Sequence, residues 1–132
     1  MSFILSPRSR QRLQGVHEDL VQVVERAIRI TEVDFTVLEG LRSAERQQQL
    51  FEKKATLLNG VTRKSRHQTG HAVDLGALVD GEVRWDWPLY HKLAAAMKKA
   101  AVQLETALEW GGDWKRFPDG PHYQLPRQKY RA

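Results

Sequence analysis

The chain has 132 residues, the length of one ordinary domain, and its 41% hydrophobic and 28% charged residues are typical of a globular protein rather than a disordered one. It contains no cysteine, which excludes disulfides, thiolate metal sites and cysteine nucleophiles, so that any metal must be bound by His, Asp or Glu. The formal net charge of +5 favours anionic partners, and composition alone leaves open whether these are nucleic acids or an anionic cell envelope.

The N-terminal segment lacks the features of an export signal. Residues 1–5 are too few for the apolar core of a signal peptide, and no run approaches the roughly 20 apolar residues that a membrane-spanning helix needs. We therefore expect a protein with no integral membrane segment, kept in the cytoplasm unless a separate partner releases it.

Two helices are predicted near the N-terminus. Ser6 followed by Pro7 is the usual pairing of an N-cap with proline at the first helical position. Apolar residues then recur with a helical period over residues 16–30, which predicts a second helix. Gly15 is expected to separate the two helices.

The middle of the chain is predicted to form a strand, a helix and a long loop. Residues 34–38, DFTVL, are β-branched and aromatic, as is typical of a strand. Ser43 offers a cap for a helix over about residues 44–54. Residues 55–70 mix polar, glycine and basic residues, which predicts a loop, and loops of this length in small domains are often functional.

The remaining elements are predicted to be a hairpin, a helix and a short strand. Residues 71–78 have the alternation of a strand, and the turn dipeptide Asp80-Gly81 leads into residues 82–85. Residues 122–125 are expected to form a last strand before a basic tail, residues 126–132. Between them lies a helix opened by Pro88, with an apolar stripe at Leu89, Leu93, Met97, Ala100 and Leu104 that Leu108 extends.

This order of elements predicts an α+β fold, with helices packed on a small sheet in a single domain over residues 1–132.

Histidines are the first candidates for a functional site. His67 and His71 are four residues apart, as in the zincin HExxH motif, but Gln68 replaces its glutamate and the residues between them disfavour a helix. Surface or packing roles are sufficient for His17 and His91, which fall in predicted amphipathic helices.

A second interpretation pairs His67 with Asp74 as candidate metal ligands. A ligand from the end of a loop and a ligand from the strand that follows can meet, with Gly70 permitting the bend between them. Asp74 lies in an otherwise apolar strand, and a buried carboxylate needs a metal or strong hydrogen bonds. Spacing alone leaves equally open that Asp74 faces solvent on an edge strand.

The segment FPDGPHY, residues 117–123, presents Asp119 and His122 in a tight turn. Two histidines and one carboxylate would make a three-ligand zinc site with the fourth position open to water. Asp119, close to the metal but not bound to it, would exchange protons with the water and the leaving amine. Taken alone, the segment is better explained as a plain turn with a half-buried histidine.

Three motifs in order resemble the zinc D-alanyl-D-alanine carboxypeptidase and dipeptidase family, which includes vancomycin-resistance dipeptidases and phage L-alanyl-D-glutamate endopeptidases. SRHQTGHAVD at residues 65–74 resembles the motif SxHxxGxAxD. WGGDW at residues 110–114, followed by Asp119 and His122, is similar to the WGGDW…DxPH segment of the phage enzymes. GLRS at residues 40–43 with Gln47 is similar to their GxRS…Q segment.

The resemblance implies a zinc ion bound by His67, Asp74 and His122. It implies that Asp119 is the general base and acid and that Arg42 points its guanidinium at the scissile carbonyl, where negative charge develops. Gln47 and Ser65 would donate or accept hydrogen bonds beside the substrate or the ligands. Trp114 is the tryptophan expected to border the site, whereas Trp85 and Trp110 are expected to serve packing.

The resemblance also implies a compact domain with a small antiparallel sheet, of the Hedgehog and D-Ala-D-Ala peptidase type. The expected function is that of a phage endolysin: a monomeric zinc endopeptidase that hydrolyses the L-alanyl-D-glutamate bond of bacterial peptidoglycan after a holin-type partner releases it. A D-alanyl-D-alanine carboxypeptidase or dipeptidase is the alternative. A nucleic-acid-binding domain is a remote one, because charge alone suggests it and it leaves the spaced His and Asp residues unexplained. Residues 53–66 depart from the phage pattern, so the fine specificity is not assigned.

Overall fold

The fold is known from a computed structural model, which describes residues 3–41 and 66–130. The predicted helix over residues 44–54 and most of the predicted loop over residues 55–70 lie outside the described residues. Arg42, Gln47 and Ser65 also lie outside them.

The two predicted N-terminal helices are confirmed. Helix α1 spans Pro7–Arg12, and the Ser6 hydroxyl caps it by accepting a backbone N–H. Helix α2 spans Glu18–Ile30 and begins two residues later than its apolar pattern, because His17 is its N-cap. Gly15 separates the helices with φ of 83°, a left-handed conformation that glycine adopts without strain.

A five-stranded antiparallel sheet forms the second layer. Its strands are β1 (Phe35–Glu39), β2 (Ala72–Val79), β3 (Glu82–Arg84), β4 (Glu109–Trp110) and β5 (His122–Gln124). The order is β1-β2-β5-β4, and β3 pairs with the far end of β2. Strand β2 is therefore internal. The four predicted strands are confirmed within one residue at either end. Strand β4 was not predicted, because a strand of two residues is too short to show an alternating pattern.

Helix α3 spans Trp87–Gln103. The prediction that Leu108 extends its apolar stripe is wrong, because the helix ends before Leu104 and Glu105 turns the backbone with φ of 55°. This reversal sends the chain back to the sheet, where β4 follows at once.

The core lies between α2, α3 and one face of the sheet. Its largest fully buried apolar side chains come from all three and from the residue that follows β5: Leu20, Val23, Val24, Leu93, Met97, Val37, Val73, Leu75, Tyr123 and Leu125. Each such residue contributes roughly 1.5–3 kcal/mol of transfer free energy when it leaves water. The α+β fold with helices on a small antiparallel sheet is confirmed. Among the described residues, no helix has both the length and the apolar character to span a membrane.

The predicted basic tail is folded over residues 126–130. The buried guanidinium of Arg66 donates through Nη2 to the carbonyls of Leu125 and Tyr130, both at 2.8 Å. The Tyr130 hydroxyl donates to Asp19 at 2.6 Å. Because Arg66 immediately precedes His67, this segment is tied to the turn that carries a predicted metal ligand.

Candidate metal centre

Three separate elements supply the predicted ligands. Asp74 lies in β2 directly opposite His122 in β5, and residues paired across antiparallel strands have Cβ atoms about 5 Å apart. His67 lies in the turn over residues 66–70, which closes with a hydrogen bond from the His71 amide to the Arg66 carbonyl at 2.8 Å. Gly70 ends this turn with φ of 78°, as the predicted bend requires.

The three ligand atoms form a triangle with equal sides. His67 Nε2 lies 3.2 Å from Asp74 Oδ1 and 3.2 Å from His122 Nδ1, and those two atoms are also 3.2 Å apart. A regular tetrahedron with edges of 3.2 Å has its centre about 2.0 Å from each vertex, which is the usual length of a zinc bond to His or Asp. The donor set and its spacing therefore fit a tetrahedral zinc site with a fourth position left for water.

Each imidazole forms a second hydrogen bond on the side facing away from the site, and this outer hydrogen bond determines which ring nitrogen carries the proton. His67 Nδ1 lies 3.0 Å from the Gly40 carbonyl, which can only accept, so Nδ1 carries the proton and Nε2 presents a lone pair. His122 Nε2 lies 2.8 Å from Gln124 Oε1, which leaves Nδ1 as the acceptor in the same way. Two lone pairs and a carboxylate converge, an arrangement that a cation stabilises.

The electrostatics of Asp74 match a ligand that stays ionised. Burial raises the pKa of this carboxyl, but the hydrogen bonds and positive charge that His122 and His67 supply when their imidazoles are protonated outweigh burial and hold the pKa well below its usual range. The side chain is 21% exposed, and β2 has strands on both sides. The alternative that Asp74 faces solvent on an edge strand is therefore wrong.

The pKa of the buried His122 imidazole is raised, whereas that of Asp74 is lowered. Burial lowers its pKa, but the hydrogen bond and charge of Asp74, together with Gln124 and the charge of Asp119, raise it overall. The site therefore attracts positive charge, and a metal ion and a proton compete for it.

Asp119 lies on the loop that leads into β5, and the base of this loop is held by main-chain hydrogen bonds. The Asp119 amide donates to the Gly111 carbonyl at 2.9 Å, and the His122 amide donates to the Asp119 carbonyl at 3.2 Å. The Trp110 indole donates to the Gly120 carbonyl at 2.7 Å. Asp119 is exposed and outside the three-atom cluster, yet its charge reaches His122. Asp119 therefore lies near the cluster without belonging to it, and its role in proton exchange stays a prediction.

The three tryptophans with predicted roles differ in their burial and contacts. Trp114 lies with its ring centroid 5.1 Å from that of His122, and its role at the border of the site stays a prediction. Trp110 is buried and serves packing, as predicted. Trp85 is 59% exposed just after the short strand β3, so of the core or rim packing predicted for it a place in the core is excluded.

The other histidines lie outside the cluster. His17 caps α2 and has its ring edge-on to Tyr130 at 5.1 Å, and His91 packs against Trp110 at 5.2 Å. Their predicted structural roles agree with these contacts. The Nδ1 atom of His71 forms a hydrogen bond with the Thr69 hydroxyl at 2.9 Å, and His71 is not part of the ligand cluster.

Three groups around the ligands were not singled out in the sequence: the Gly40 carbonyl, Gln124 and Glu109. Gln124 could have been found, because it lies two residues after His122 and therefore on the same face of a strand. The other two follow only from tertiary contacts.

Gly111 provides a test of how the loop is positioned. A Cβ at this residue would lie 2.4 Å from the Asp119 carbonyl oxygen and 3.1 Å from the Cβ atoms of Asp119 and His122. We expect Gly111→Ala to lower kcat/KM by about 100-fold, since shifts near 1 Å cost that much, while the protein stays folded. Gly81→Ala is the control, because a Cβ there meets no atom within 4 Å and only the backbone with φ of 79° is strained. Comparable kcat/KM values for the two variants would contradict the expectation.

The fold and this site together define a class, that of small metallopeptidases built on an antiparallel sheet. The crystal structure of Serratia marcescens L-Ala D-Glu endopeptidase ChiX is similar, with a TM-score of 0.89 and 43% identity over 98% of this chain and 95% of that one. Vancomycin resistance D,D-dipeptidase VanXYg shares the fold, with a TM-score of 0.53 and 21% identity over 86% of this chain and 53% of that one.

The particular family is shown by sequence. The model of the family described as phage L-alanyl-D-glutamate peptidase matches residues 1–127, and the chain belongs to this family. The L-alanyl-D-glutamate peptidase of Escherichia phage T5 is 29% identical over 98% of this chain and 94% of its own length.

Proposed function

We propose that this protein is a zinc-dependent endopeptidase that hydrolyses the L-alanyl-D-glutamate bond of bacterial peptidoglycan stem peptides. The observation that carries the proposal is the triangle of ligand atoms at 3.2 Å, in which the outer hydrogen bonds of the two imidazoles leave their inner nitrogens as acceptors beside the Asp74 carboxylate. Membership of the phage L-alanyl-D-glutamate peptidase family supports the choice of bond.

His67, Asp74 and His122 would hold the zinc ion. When bound, zinc supplies a Lewis acid that activates water and polarises the scissile carbonyl. Asp119 accepts the proton of the attacking water and delivers it to the leaving amino group of D-glutamate, as its exposed position beside the cluster allows. Trp114 forms one border of the substrate site, which its contact with His122 supports.

Arg42, Gln47 and Ser65 are assigned to the substrate on the basis of their motifs. Arg42 would donate to the oxygen of the scissile carbonyl, and Gln47 and Ser65 would form hydrogen bonds beside the substrate or the ligands. The neighbouring contact of Gly40 with His67 supports the role of Arg42, because Gly40 precedes it by only two residues in the chain.

The products of digestion test the proposal. Purified peptidoglycan treated with the protein should acquire new N-terminal D-glutamate, detected by mass spectrometry of labelled fragments, and a chelator should prevent it. Release of free D-alanine without new N-terminal glutamate would instead assign the enzyme to the D-alanyl-D-alanine peptidases.

We further propose that the protein acts as a monomer on the host cell wall, after a holin-type partner opens the inner membrane. The phage family and the net charge of +5, which favours an anionic envelope, support this. Cells that express the protein should lyse only when a membrane-permeabilising protein is co-expressed. Lysis without it would contradict the need for such a partner, and a dimer in sedimentation analysis would contradict the monomer.

A further inference from the structure

Behind the ligand His122 lies a chain of two hydrogen bonds that ends at a carboxylate. Gln124 Oε1 is 2.8 Å from His122 Nε2, and Gln124 Nε2 donates to Glu109 Oε2 at 3.1 Å. The register of the sheet creates this chain, because Glu109 in β4 pairs with Gln124 in β5. The two-residue strand β4 therefore brings a carboxylate within reach of the metal centre without making it a ligand.

Glu109 determines the orientation of the Gln124 amide. An ionised carboxylate only accepts hydrogen bonds, so the NH2 group of Gln124 must face Glu109. The amide oxygen is then directed at His122 Nε2, which must donate. The imidazole is thereby held in the tautomer that presents Nδ1 to His67 and Asp74.

The chemical type of residue 124 matters for charge as well as geometry. A glutamate at this position would accept from His122 equally well, but it would lie about 3 Å from a second carboxylate, and such pairs repel. The amide accepts from the imidazole and donates to Glu109, so it links them without adding negative charge.

We infer that Glu109 and Gln124 are positioning residues that fix the Nδ1-ligating tautomer of His122 and thereby raise the affinity of the centre for zinc. Loss of such a partner of a ligating histidine typically weakens metal binding by about 10- to 100-fold. The inference rests on the proposed zinc site but not on the bond that the enzyme cleaves.

Zinc affinity of the full chain, measured by competition with a chromogenic chelator, tests the first step. Gln124→Leu should bind zinc about 10- to 100-fold more weakly than the wild type, because the leucine cannot accept from His122. Gln103→Leu is the matched control, since Gln103 is exposed at the end of α3, and its affinity should equal that of the wild type. A folded Gln124→Leu variant with unchanged affinity would overturn the inference.

An exchange of the two side chains separates positioning from simple packing. Gln124→Glu alone should weaken zinc binding through repulsion by Glu109. The double variant Glu109→Gln/Gln124→Glu restores one donor and one acceptor between the strands and should recover most of the wild-type affinity. A folded double variant that does not recover zinc affinity would overturn the inference that Glu109 and Gln124 position His122.

Spectroscopy gives a second readout, independent of hydrolysis. The cobalt-substituted double variant should have the d–d absorption of the cobalt-substituted wild type, whereas Gln124→Leu should have an altered spectrum. Identical spectra for all variants would contradict a role in ligand orientation. If the wild type binds zinc but cleaves a different bond, only the proposed function fails and these comparisons still apply.

Discussion

Asp119→Ala should lose hydrolysis of peptidoglycan while retaining about one zinc ion per chain. A positioned acid–base group contributes about 100- to 10,000-fold to a rate, and Asp119 is the exposed carboxylate beside the cluster, outside the three ligand atoms. Removing it takes away the proton transfer without removing a ligand. Turnover on purified peptidoglycan and the zinc content of the dialysed protein are the two measurements.

Asp113→Ala is the matched control for this prediction. Asp113 lies in the same loop region and forms an exposed ion pair with Lys98 at 2.8 Å, of a kind that contributes little to stability. Its variant should keep both zinc and turnover. Wild-type turnover in Asp119→Ala would show that another group transfers the proton.

His67→Ala should lose both zinc and activity, and a chelator should do the same to the wild type. The substitution removes one of three ligand atoms that lie 3.2 Å apart, so the remaining pair cannot complete a three-ligand site. Zinc should raise the thermal midpoint of the wild type, because a ligand of the native state stabilises it, and should leave that of the variant unchanged.

His91→Ala is the control, because this histidine packs against Trp110 and is outside the cluster. It should retain zinc binding and the zinc-dependent rise in the thermal midpoint. A folded His67→Ala protein that still binds one zinc ion tightly would exclude the proposed centre.

Local patterns were sufficient for most of the fold. The helical period of α2 and the turn dipeptide Asp80-Gly81 predicted their elements, because both signals depend on neighbours in sequence. The same reasoning failed at Leu108, where the apolar spacing continued after the helix had ended. It also failed at β4, because a strand of two residues exists only through its pairing with β5.

The sequence by itself determined the types of residue that can hold a metal, and their motifs indicated which ones. Only the tertiary structure decided that they meet: His67 and His122 are 55 residues apart in the chain, and their ring nitrogens are 3.2 Å apart. The pairing of β2 with β5 places Asp74 opposite His122, and contacts with Gly40 and Gln124 orient the rings. Such convergence depends on strand register and packing between distant segments, which no local spacing of residues encodes.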